Sequence, residues 1–369
     1  MADLFSPLAL RSIEFRNRIA VSPMCQYSSE DGFADDWHLV HLGAFAKGGA
    51  GLVMVEATAV EPRGRITPND LGLWKDEHIE ALLRTTEFMR KHGAVPGIQL
   101  AHAGIKASRA RPWARKSNAF IHPTGSGGPD DGWVPVGPTS RKFEYPADDD
   151  GLAPHALTAA EIAEVTAQFA ASASRALAAG FRVIEIHAAH GYLLHSFLSP
   201  ITNTRSDEYG GGFEGRTRML REVVSAVRMV MPEALPLFVR FSASDWVESG
   251  WTIKDSVRLA KELKGAGVDL IDCSSGGATR GAKIPTGPGY QVPFAEEIRR
   301  DAEIATGAVG GIAEPRQADE IIQENKADIV LIGRAHLIDP HWSIRAAREL
   351  GVPVEGVAAL PIGWAIRAF

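Results

Sequence analysis

The sequence has little cysteine, no long apolar run and no excess of positive charge, and each shortage excludes a class of protein. Two cysteines among 369 residues cannot form a disulfide framework, so we expect a reducing, cytoplasmic environment. No stretch of about 18 consecutive apolar residues is present, so no membrane span is expected. The net charge of −6 argues against a nucleic-acid-binding face, and residues 1–10 lack the pattern of a secretion signal.

A dinucleotide-binding motif is also missing, which bears on the type of α/β fold. No Gly-x-Gly-x-x-Gly follows the first predicted strand, so a doubly wound sheet is disfavoured. Eight short apolar stretches instead alternate with helical patterns, which is typical of a closed (β/α)8 barrel, the TIM-barrel fold. Because 45% of the residues are apolar, we predict one large core and a single domain over residues 1–369. The predicted strands are 19–21, 52–56, 97–100, 183–187, 237–241, 270–273, 304–309 and 329–332.

Helix signals and two additional segments complete the predicted architecture. The clearest helix covers residues 158–179, where Thr158 and Glu161 have the spacing of a capping box. Residues 4–15 predict an N-terminal hairpin that closes the bottom of the barrel. Residues 103–157, rich in Gly, Pro, Asp and Arg, form a long insertion after the third strand and predict a lid on the active face. Further helices are predicted over residues 214–231, 252–264 and 315–325.

Polar residues collect where the predicted strands end. In a barrel of this type the carboxyl ends of the strands form the active face. Six separate segments direct polar groups to that face, and their convergence predicts a catalytic site. They are residues 22–27, residues 56–58, Gln99 with His102, residues 187–192, Arg240 and residues 333–334.

A pair of histidines follows the fourth predicted strand and has three interpretations. His187 and His190 can donate hydrogen bonds to one carbonyl or anionic oxygen, can bind a metal, or can be ordinary packed side chains. A metal site needs further ligands, and no obvious third ligand lies near this pair, so we predict no metal. Tyr192 adds a phenol that can deliver a proton to a substrate carbon.

Three further features suggest ligand binding. Cys25 can be a nucleophile, a flavin neighbour or a small buried apolar residue, and the residues alone favour the last. Arg240 lies within a buried strand and therefore needs an anionic partner. Gly310-Gly311 and Gly333-Arg334 follow the last two strands, at the usual phosphate position of this fold, although ordinary loop glycines are the alternative.

Several motifs, taken together, resemble the Old Yellow Enzyme family over nearly the whole chain. The most specific are His-Ala-Ala-His-Gly-Tyr at 187–192 and Arg-Ser-Asp-Glu-Tyr-Gly-Gly at 205–211. The motif around Cys25 resembles the bacterial branch that includes xenobiotic reductase A and the thermophilic-like NADPH dehydrogenases. The other motifs are Ser-Pro-Met-Cys-Gln-Tyr at 22–27, Gly-Arg-Ile-Thr at 64–67, Gln-Leu-Ala-His-Ala-Gly at 99–104, Phe-Leu-Ser-Pro at 197–200 and Gly-Arg-Ala at 333–335.

This resemblance implies an FMN enzyme and a role for each matching residue. His187 and His190 would bind a substrate carbonyl, Tyr27 would shape that pocket, and Tyr192 would be the proton donor. Cys25 would tune the redox behaviour of the flavin. The implied cofactor-binding residues are Ser22, Pro23, Met24, Cys25, Ala57, Gln99, Arg240, Gly310, Gly311, Gly333 and Arg334.

The resemblance also implies a reaction and partners. NADPH would reduce FMN, and flavin N5 would then transfer hydride to the C=C bond of an enone or a related electron-poor alkene, in a ping-pong ene-reductase cycle. The protein would be a homodimer or homotetramer. Trp364, near the C-terminus, would bind substrate in a neighbouring subunit, alone or with Arg367.

One departure and two alternative functions remain at this point. The family usually has Arg where this chain has Ile105, so coenzyme contacts of this loop are not carried over. The first alternative is a metal-dependent TIM-barrel hydrolase that uses His187 and His190. The second is a non-catalytic flavin-binding protein. A proton donor beside the histidine pair favours catalysis, because binding alone does not require one.

Overall fold

Twelve strands and eleven α-helices form within the residues that this computed structural model describes, which are 2–126, 128, 131–145 and 149–367. The strands are β1 (Leu8–Leu10), β2 (Ile13–Phe15), β3 (Ile19–Val21), β4 (Leu52–Ala59), β5 (Val95–Ala101), β6 (Val136–Gly137), β7 (His155–Ala156), β8 (Val183–Ala188), β9 (Leu237–Ser242), β10 (Leu270–Ser274), β11 (Ala305–Val309) and β12 (Ile329–Ile332). The helices are α1 (Asp36–Lys47), α2 (His78–Lys91), α3 (Ala159–Ala178), α4 (Leu193–Leu198), α5 (Phe213–Val230), α6 (Ile253–Gly265), α7 (Val292–Ala302), α8 (Pro315–Gln323), α9 (Arg334–Ile338), α10 (Trp342–Glu349) and α11 (Leu360–Ile366).

Eight of the strands close into a parallel barrel, which confirms the predicted TIM-barrel fold. Their order around the barrel is β3-β4-β5-β8-β9-β10-β11-β12, so each strand pairs with the next barrel strand along the chain. The predicted strands coincide with these eight, although β4 and β5 continue beyond the predicted ends to Ala59 and Ala101. Because all eight strands are parallel, their carboxyl ends lie at one face of the barrel.

The amino-terminal end of the barrel is filled by apolar side chains and covered by the β1–β2 hairpin, as predicted. Phe15 of the hairpin is fully buried, and Arg11 Nε donates to Asp269 Oδ1 at 2.7 Å beside the start of β10. This end therefore has the character of a packed core rather than a site. The apolar layer consists of Phe15, Ala20, Leu52, Met54, Val183, Phe238, Leu270, Ile329 and Leu331.

A shell of helices packs its apolar faces on the outside of the barrel. The capping box predicted at the start of α3 is present: the Thr158 side chain accepts from the Glu161 amide, and Glu161 accepts from the Thr158 amide. Gly180 ends this segment in a left-handed conformation with φ +86°, which favours glycine. No helix among the described residues is long and apolar enough to cross a membrane.

The insertion at residues 103–157 is mostly irregular and packs over the carboxyl end of the barrel. Its strands β6 and β7 pair over two residues each, and the Trp133 indole donates to the Arg63 carbonyl at 2.9 Å. Positions 127, 129, 130 and 146–148 of the predicted lid lie outside the described residues. The predicted location on the active face is where the described part of the insertion lies, because several of its side chains line the cavity there.

Candidate active site

The loop after β8 is held in an unusual backbone conformation. His190 and Gly191 are both left-handed, with φ +62° and φ +75°. A Cβ atom on Gly191 would lie 2.1 Å from the Gly277 carbonyl oxygen, so only glycine fits between this loop and the loop after β10. The turn directs the side chains of His187, His190 and Tyr192 toward one another at the carboxyl end of the barrel.

The two histidines lie edge to face, with ring centroids 5.1 Å apart and planes at 88°. His187 Nδ1 accepts from the Ala189 amide at 3.2 Å, which leaves Nε2 as its N–H donor. His190 Nε2 lies 2.7 Å from the Ser274 hydroxyl. Burial, with the Arg240 cation nearby, lowers the pKa of both histidines well below the usual range, so both imidazoles are neutral and each carries one N–H.

Tyr192 completes the group. Its ring centroid lies 5.1 Å from that of His187 and 6.5 Å from that of His190. Burial raises the pKa of Tyr192 well above 10, so the phenol keeps its proton at neutral pH. A protonated phenol beside two neutral imidazole donors can act as a general acid.

Lys106 supports this loop, and the sequence analysis assigned it no role. Its ammonium donates to the carbonyl oxygens of His190 and Gly277, each at 2.7 Å, and lies 4.0 Å from the ring centroid of Phe143. Burial lowers the pKa of Lys106 to about 7, while the two carbonyl acceptors favour the charged form. The motif at residues 99–104 ends two residues before Lys106, and only a structure shows which carbonyls the Lys106 ammonium reaches.

A buried polar network holds the loop from the other side. The Gly191 amide donates to His195 Nδ1 at 2.7 Å, and His195 Nε2 lies 3.1 Å from Asp245 Oδ1. The Ser199 hydroxyl donates to Asp245 Oδ2 at 2.6 Å. His195 and Asp245 are fully buried, so the loop conformation is fixed by contacts that water cannot replace.

The segment after β3 faces this group from the opposite side of the barrel. The Gln26 amide donates to Glu56 Oε2 at 2.7 Å, which ties the segment to β4. Desolvation, with Asp70 and Glu56 nearby, raises the pKa of Cys25 well above its usual value, so Cys25 is a thiol rather than a nucleophilic thiolate. Tyr27, whose pKa is also raised by burial, lines the cavity with Tyr192.

A layer of charged and polar side chains lies inside the barrel between the apolar layer and the loop. Arg240 Nε and Asp272 Oδ2 form an ion pair at 3.1 Å, and Gln99 Nε2 donates to Glu185 Oε1 at 2.7 Å. Among the described residues, Arg240 Nε and Asp272 Oδ2 meet only in this ion pair, without hydrogen-bond geometry, and Asp272 Oδ1 and Glu185 Oε2 have no hydrogen-bond partner. Burial raises the pKa of Glu185 and of Asp272. Such unsatisfied buried atoms indicate that this layer is built to meet a polar ligand.

The glycines after β11 and β12 have conformations suited to close approach of a ligand. Gly310 and Gly311 are left-handed, with φ +105° and +66°. A Cβ on Gly310 would meet Gln291 Nε2 at 2.5 Å. Gly333 immediately precedes α9 beside Met24, and Arg334 is exposed. Backbone amides in such turns can bind a phosphate.

A cavity of about 770 Å³ opens beside Tyr27 and Tyr192, and neither His187 nor His190 is among its lining residues. Tyr27 and Tyr192 are the lining residues that the sequence had placed in the site. The others come largely from the insertion, and no periodicity in that segment would have singled them out. They include Lys106, Arg109, Lys116, Phe120, Phe143, Tyr145, Asp149, Asp150 and Arg280.

Trp364 stands apart from this assembly. It lies on α11 with 66% of its surface exposed, stacked on the Arg367 guanidinium at 5.1 Å, and it does not line the cavity of its own chain.

Ala57 lies on β4, next to Gln99 on β5. In the part of the chain that the structure describes, no three or more His, Cys, Asp or Glu side chains are grouped to hold a metal ion.

Fold and site together define a flavin-dependent oxidoreductase on a TIM barrel. A family profile described as "NADH:flavin oxidoreductase / NADH oxidase family" matches residues 3–352, so the chain belongs to this family, the Old Yellow Enzyme family. Membership makes the chain an enzyme that carries FMN and oxidises a reduced nicotinamide coenzyme. The resemblance inferred from the motifs is thereby confirmed.

Named relatives agree with this assignment. The chain is 47% identical to an NADPH dehydrogenase of Geobacillus sp. (strain WCH70), with 98% of each chain covered. It is 44% identical to an NADPH dehydrogenase of Bacillus subtilis (strain 168), with 98% of this chain and 99% of the relative covered. Morphinone reductase has a similar structure, with a TM-score of 0.77 at 26% identity over 99% of this chain and 96% of that one. The chain spans only 53% of a longer 2-naphthoyl-CoA reductase chain, at a TM-score of 0.82 and 24% identity, which shows the fold alone.

Proposed function

We propose that the chain is an NADPH-dependent ene-reductase that reduces the C=C bond of α,β-unsaturated carbonyl compounds. The observation that carries this proposal is the meeting of two neutral histidine donors with a protonated tyrosine beside a cavity. His187 and His190 lie 5.1 Å apart between ring centroids, and Tyr192 lies 5.1 Å from His187. Two donors and one acid are the groups that addition of hydride to an enone requires from a protein.

The residues present fit FMN. The buried Arg240 cation suits the polar edge of a flavin ring, and the turns at Gly310 and Gly311 suit its phosphate. Bound FMN supplies hydride transfer, which no side chain can provide. The residues that we propose to hold it are Ser22, Pro23, Met24, Cys25, Ala57, Gln99, Arg240, Gly310, Gly311, Gly333 and Arg334.

His187 and His190 bind the substrate carbonyl oxygen in this proposal. Because burial lowers the pKa of both, they act as neutral donors rather than cations. Donors fixed in advance stabilise the negative charge that develops on that oxygen, and this polarises the conjugated C=C bond. Tyr27 also lines the cavity and limits how the substrate lies in it.

Tyr192 supplies the proton for the substrate carbon next to the carbonyl. Its raised pKa keeps the phenol protonated until the carbon becomes basic. The backbone of residues 190–192 is clamped by Lys106 and His195, so the hydroxyl is held in place and need not be recruited from solvent. One cavity serves NADPH and the enone in turn, which predicts ping-pong kinetics.

We further propose one FMN-binding domain over residues 1–369, with residues 103–157 as its lid, in a homodimer or homotetramer. Leu360 and Trp364 expose apolar surface on α11, 83% and 66% accessible, as a subunit contact would. Truncation after Leu360 tests a contribution of Trp364 to a neighbouring site; unchanged turnover and assembly would contradict it. Cys25 and Cys273 are free thiols, which supports a cytoplasmic location.

The decisive experiment follows the two half-reactions separately. The protein is reconstituted with FMN and reduced by NADPH without oxygen, and 2-cyclohexenone is then added. We expect the flavin absorbance to bleach with NADPH and to return with the enone. A flavin that NADPH bleaches but the enone does not reoxidise would remove the ene-reductase assignment, and a flavin that NADPH does not bleach would indicate a binding protein.

A further inference from the structure

The cavity has a charge balance opposite to that of the chain. The whole protein carries a net charge of −6. The cavity lining contains four cations and two carboxylates, and both carboxylates are engaged: Asp149 with Arg109, and Asp150 with His122 at 3.0 Å. The site is therefore locally positive, which attracts anionic ligands.

Two of the lining cations have no side-chain partner among the residues that the structure describes. Lys116 and Arg280 are exposed, and neither side chain forms an ion pair or donates a hydrogen bond there. Lys116 comes from the insertion and Arg280 from the segment after β10, so different elements bring them to one cavity. Asp150 interacts electrostatically with Lys116 but is itself paired with His122.

Aromatic side chains form the inner walls of the same cavity. Tyr27 and Tyr192 come from the barrel, and Phe143 and Tyr145 come from the insertion. The rings of Phe143 and Tyr145 lie 4.9 Å apart between centroids, and Lys106 fixes Phe143 by a cation–π contact. Walls of this kind suit a flat conjugated ligand. A volume of about 770 Å³ exceeds the need of a small cyclic enone and leaves room for a ring and a substituent.

We propose that the site takes a flat, conjugated ligand with an oxyanion at its outer end, and that Lys116 and Arg280 bind this oxyanion. The inference rests on the proposed function, because it concerns ligands of the same site. Two sources of the oxyanion share this chemistry: the carboxylate of an aromatic enone and a phosphate of the nicotinamide coenzyme. Both place a flat reactive ring inside the cavity and negative charge at the rim.

The test compares two substrates that differ by one para carboxylate group: cinnamaldehyde and 4-carboxycinnamaldehyde. The variants are Lys116→Glu, Arg280→Glu and their combination, in the FMN-loaded enzyme. Arg115→Glu is the matched control, because Arg115 is the exposed neighbour of Lys116, carries the same charge and does not line the cavity. Steady-state KM is measured for both aldehydes and for NADPH. Calorimetric titration with 4-hydroxybenzoate and 4-hydroxybenzyl alcohol measures binding without turnover.

We expect Lys116→Glu and Arg280→Glu each to raise KM for 4-carboxycinnamaldehyde roughly fivefold. In the same variants KM for cinnamaldehyde should change by less than about twofold, and in Arg115→Glu KM for either aldehyde should change by less than about twofold. The affinity for 4-hydroxybenzoate should fall in parallel, and high salt should reduce the difference. A selective rise in KM for NADPH instead would assign the oxyanion to the coenzyme phosphate. Equal changes for charged and neutral ligands, or an equal effect of Arg115→Glu, would overturn the proposal. If no enone is reduced, the ene-reductase assignment fails, while calorimetry still decides the anion site.

Discussion

The loop after β8 and the insertion at residues 103–157 meet at one cavity but differ in burial: residues 187–195 are all buried or half-buried, whereas most of residues 111–119 are exposed. The β8 loop is fixed through its backbone groups: the Gly191 amide donates to His195 Nδ1, and the Lys106 ammonium donates to the His190 carbonyl oxygen. The insertion is held by both kinds of contact: the Arg109 amide donates to the Ile66 carbonyl at 2.7 Å, and the Arg109 guanidinium lies 3.4 Å from the ring centroid of Tyr145.

This difference indicates that the β8 loop serves the chemical reaction and that the insertion serves the choice of ligand. Groups that transfer protons or stabilise charge must be placed to within a fraction of an ångström, and buried backbone contacts provide that precision. Groups that choose among ligands tolerate more freedom, and a more exposed segment suffices for them. We therefore expect substitutions in the β8 loop, and at Lys106 whose ammonium holds that loop, to affect rate constants. Substitutions in the rest of the insertion should affect KM.

Tyr192→Phe gives the largest expected effect. Removal of the only proposed proton donor should slow flavin reoxidation by an enone about 100-fold or more, because general acid catalysis contributes at least this much. Flavin reduction by NADPH needs no proton from Tyr192 and should stay within about twofold of the wild type. Stopped-flow absorbance measures both half-reactions, and equal losses in the two would exclude Tyr192 as the donor.

His187→Ala should weaken carbonyl binding. Loss of one buried donor should raise the dissociation constant of a phenol or an enone roughly tenfold, as judged from the net contribution of a hydrogen bond in a dry site. Spectral titration of the oxidised flavin reports this constant. His187→Asn retains an N–H donor and should recover part of the affinity; an unchanged titration in His187→Ala would contradict the carbonyl assignment.

Tyr145→Ala tests whether the insertion affects ligand binding rather than the rate of proton transfer. Loss of the Arg109–Tyr145 contact should loosen the insertion, speed its cleavage by trypsin and raise the enone KM about threefold, because a cation–π contact contributes modestly. The rate constant of proton transfer from Tyr192 should not change. Tyr145→Phe keeps the ring and serves as the control. A fall in that rate constant in Tyr145→Ala alone would break the proposed division.

The pH dependence of flavin reoxidation should report Lys106 rather than the histidines. Burial lowers the pKa of Lys106 to about 7, so its charge, which strengthens the bonds to the His190 and Gly277 carbonyls, is lost as pH rises through that value. We expect the rate to fall about twofold as this happens. Lys106→Met should remove the dependence, and a pH profile that is identical in wild type and Lys106→Met would show that another group titrates.

The smallest expected effect on activity comes from Thr158→Ala, at the point where the insertion joins α3. Loss of the capping box should cost about 1 kcal/mol of stability and lower Tm by about 2 °C. The rate of proton transfer should remain unchanged. Calorimetry measures Tm, and Thr158→Ser, which retains the hydroxyl, should match the wild type. A drop in Tm with Thr158→Ser as well would assign the effect to the methyl group.

Local signals explain what the sequence predicts well. The Thr158–Glu161 capping box depends on residues three apart, and the barrel strands depend on short apolar stretches. The candidate residues His187, His190 and Tyr192 could be placed together because they follow one strand and because strand ends of a barrel converge. Their hydrogen bonds could not be predicted, because the partners Lys106 and Ser274 are distant in the sequence.

The sequence predicts the insertion and the face on which it lies, but it does not predict which of its side chains line the cavity. Arg109 and Tyr145 are 36 positions apart in a segment with little regular secondary structure, and no periodicity links them. Residue types alone would equally suit a solvated loop. The same holds for Arg280, which reaches the cavity from a loop on a different element.

Gly191 has a consequence for engineering this enzyme. Because a methyl group there would lie 2.1 Å from the Gly277 carbonyl oxygen, the loops after β8 and β10 are in such close contact that one cannot change its backbone conformation without the other. Directed evolution that randomises either loop alone should return mostly inactive clones, however conservative the exchanges. Libraries that vary both loops together, or that transplant them as a pair, are the ones in which a new geometry of the acid and its neighbouring donors can emerge.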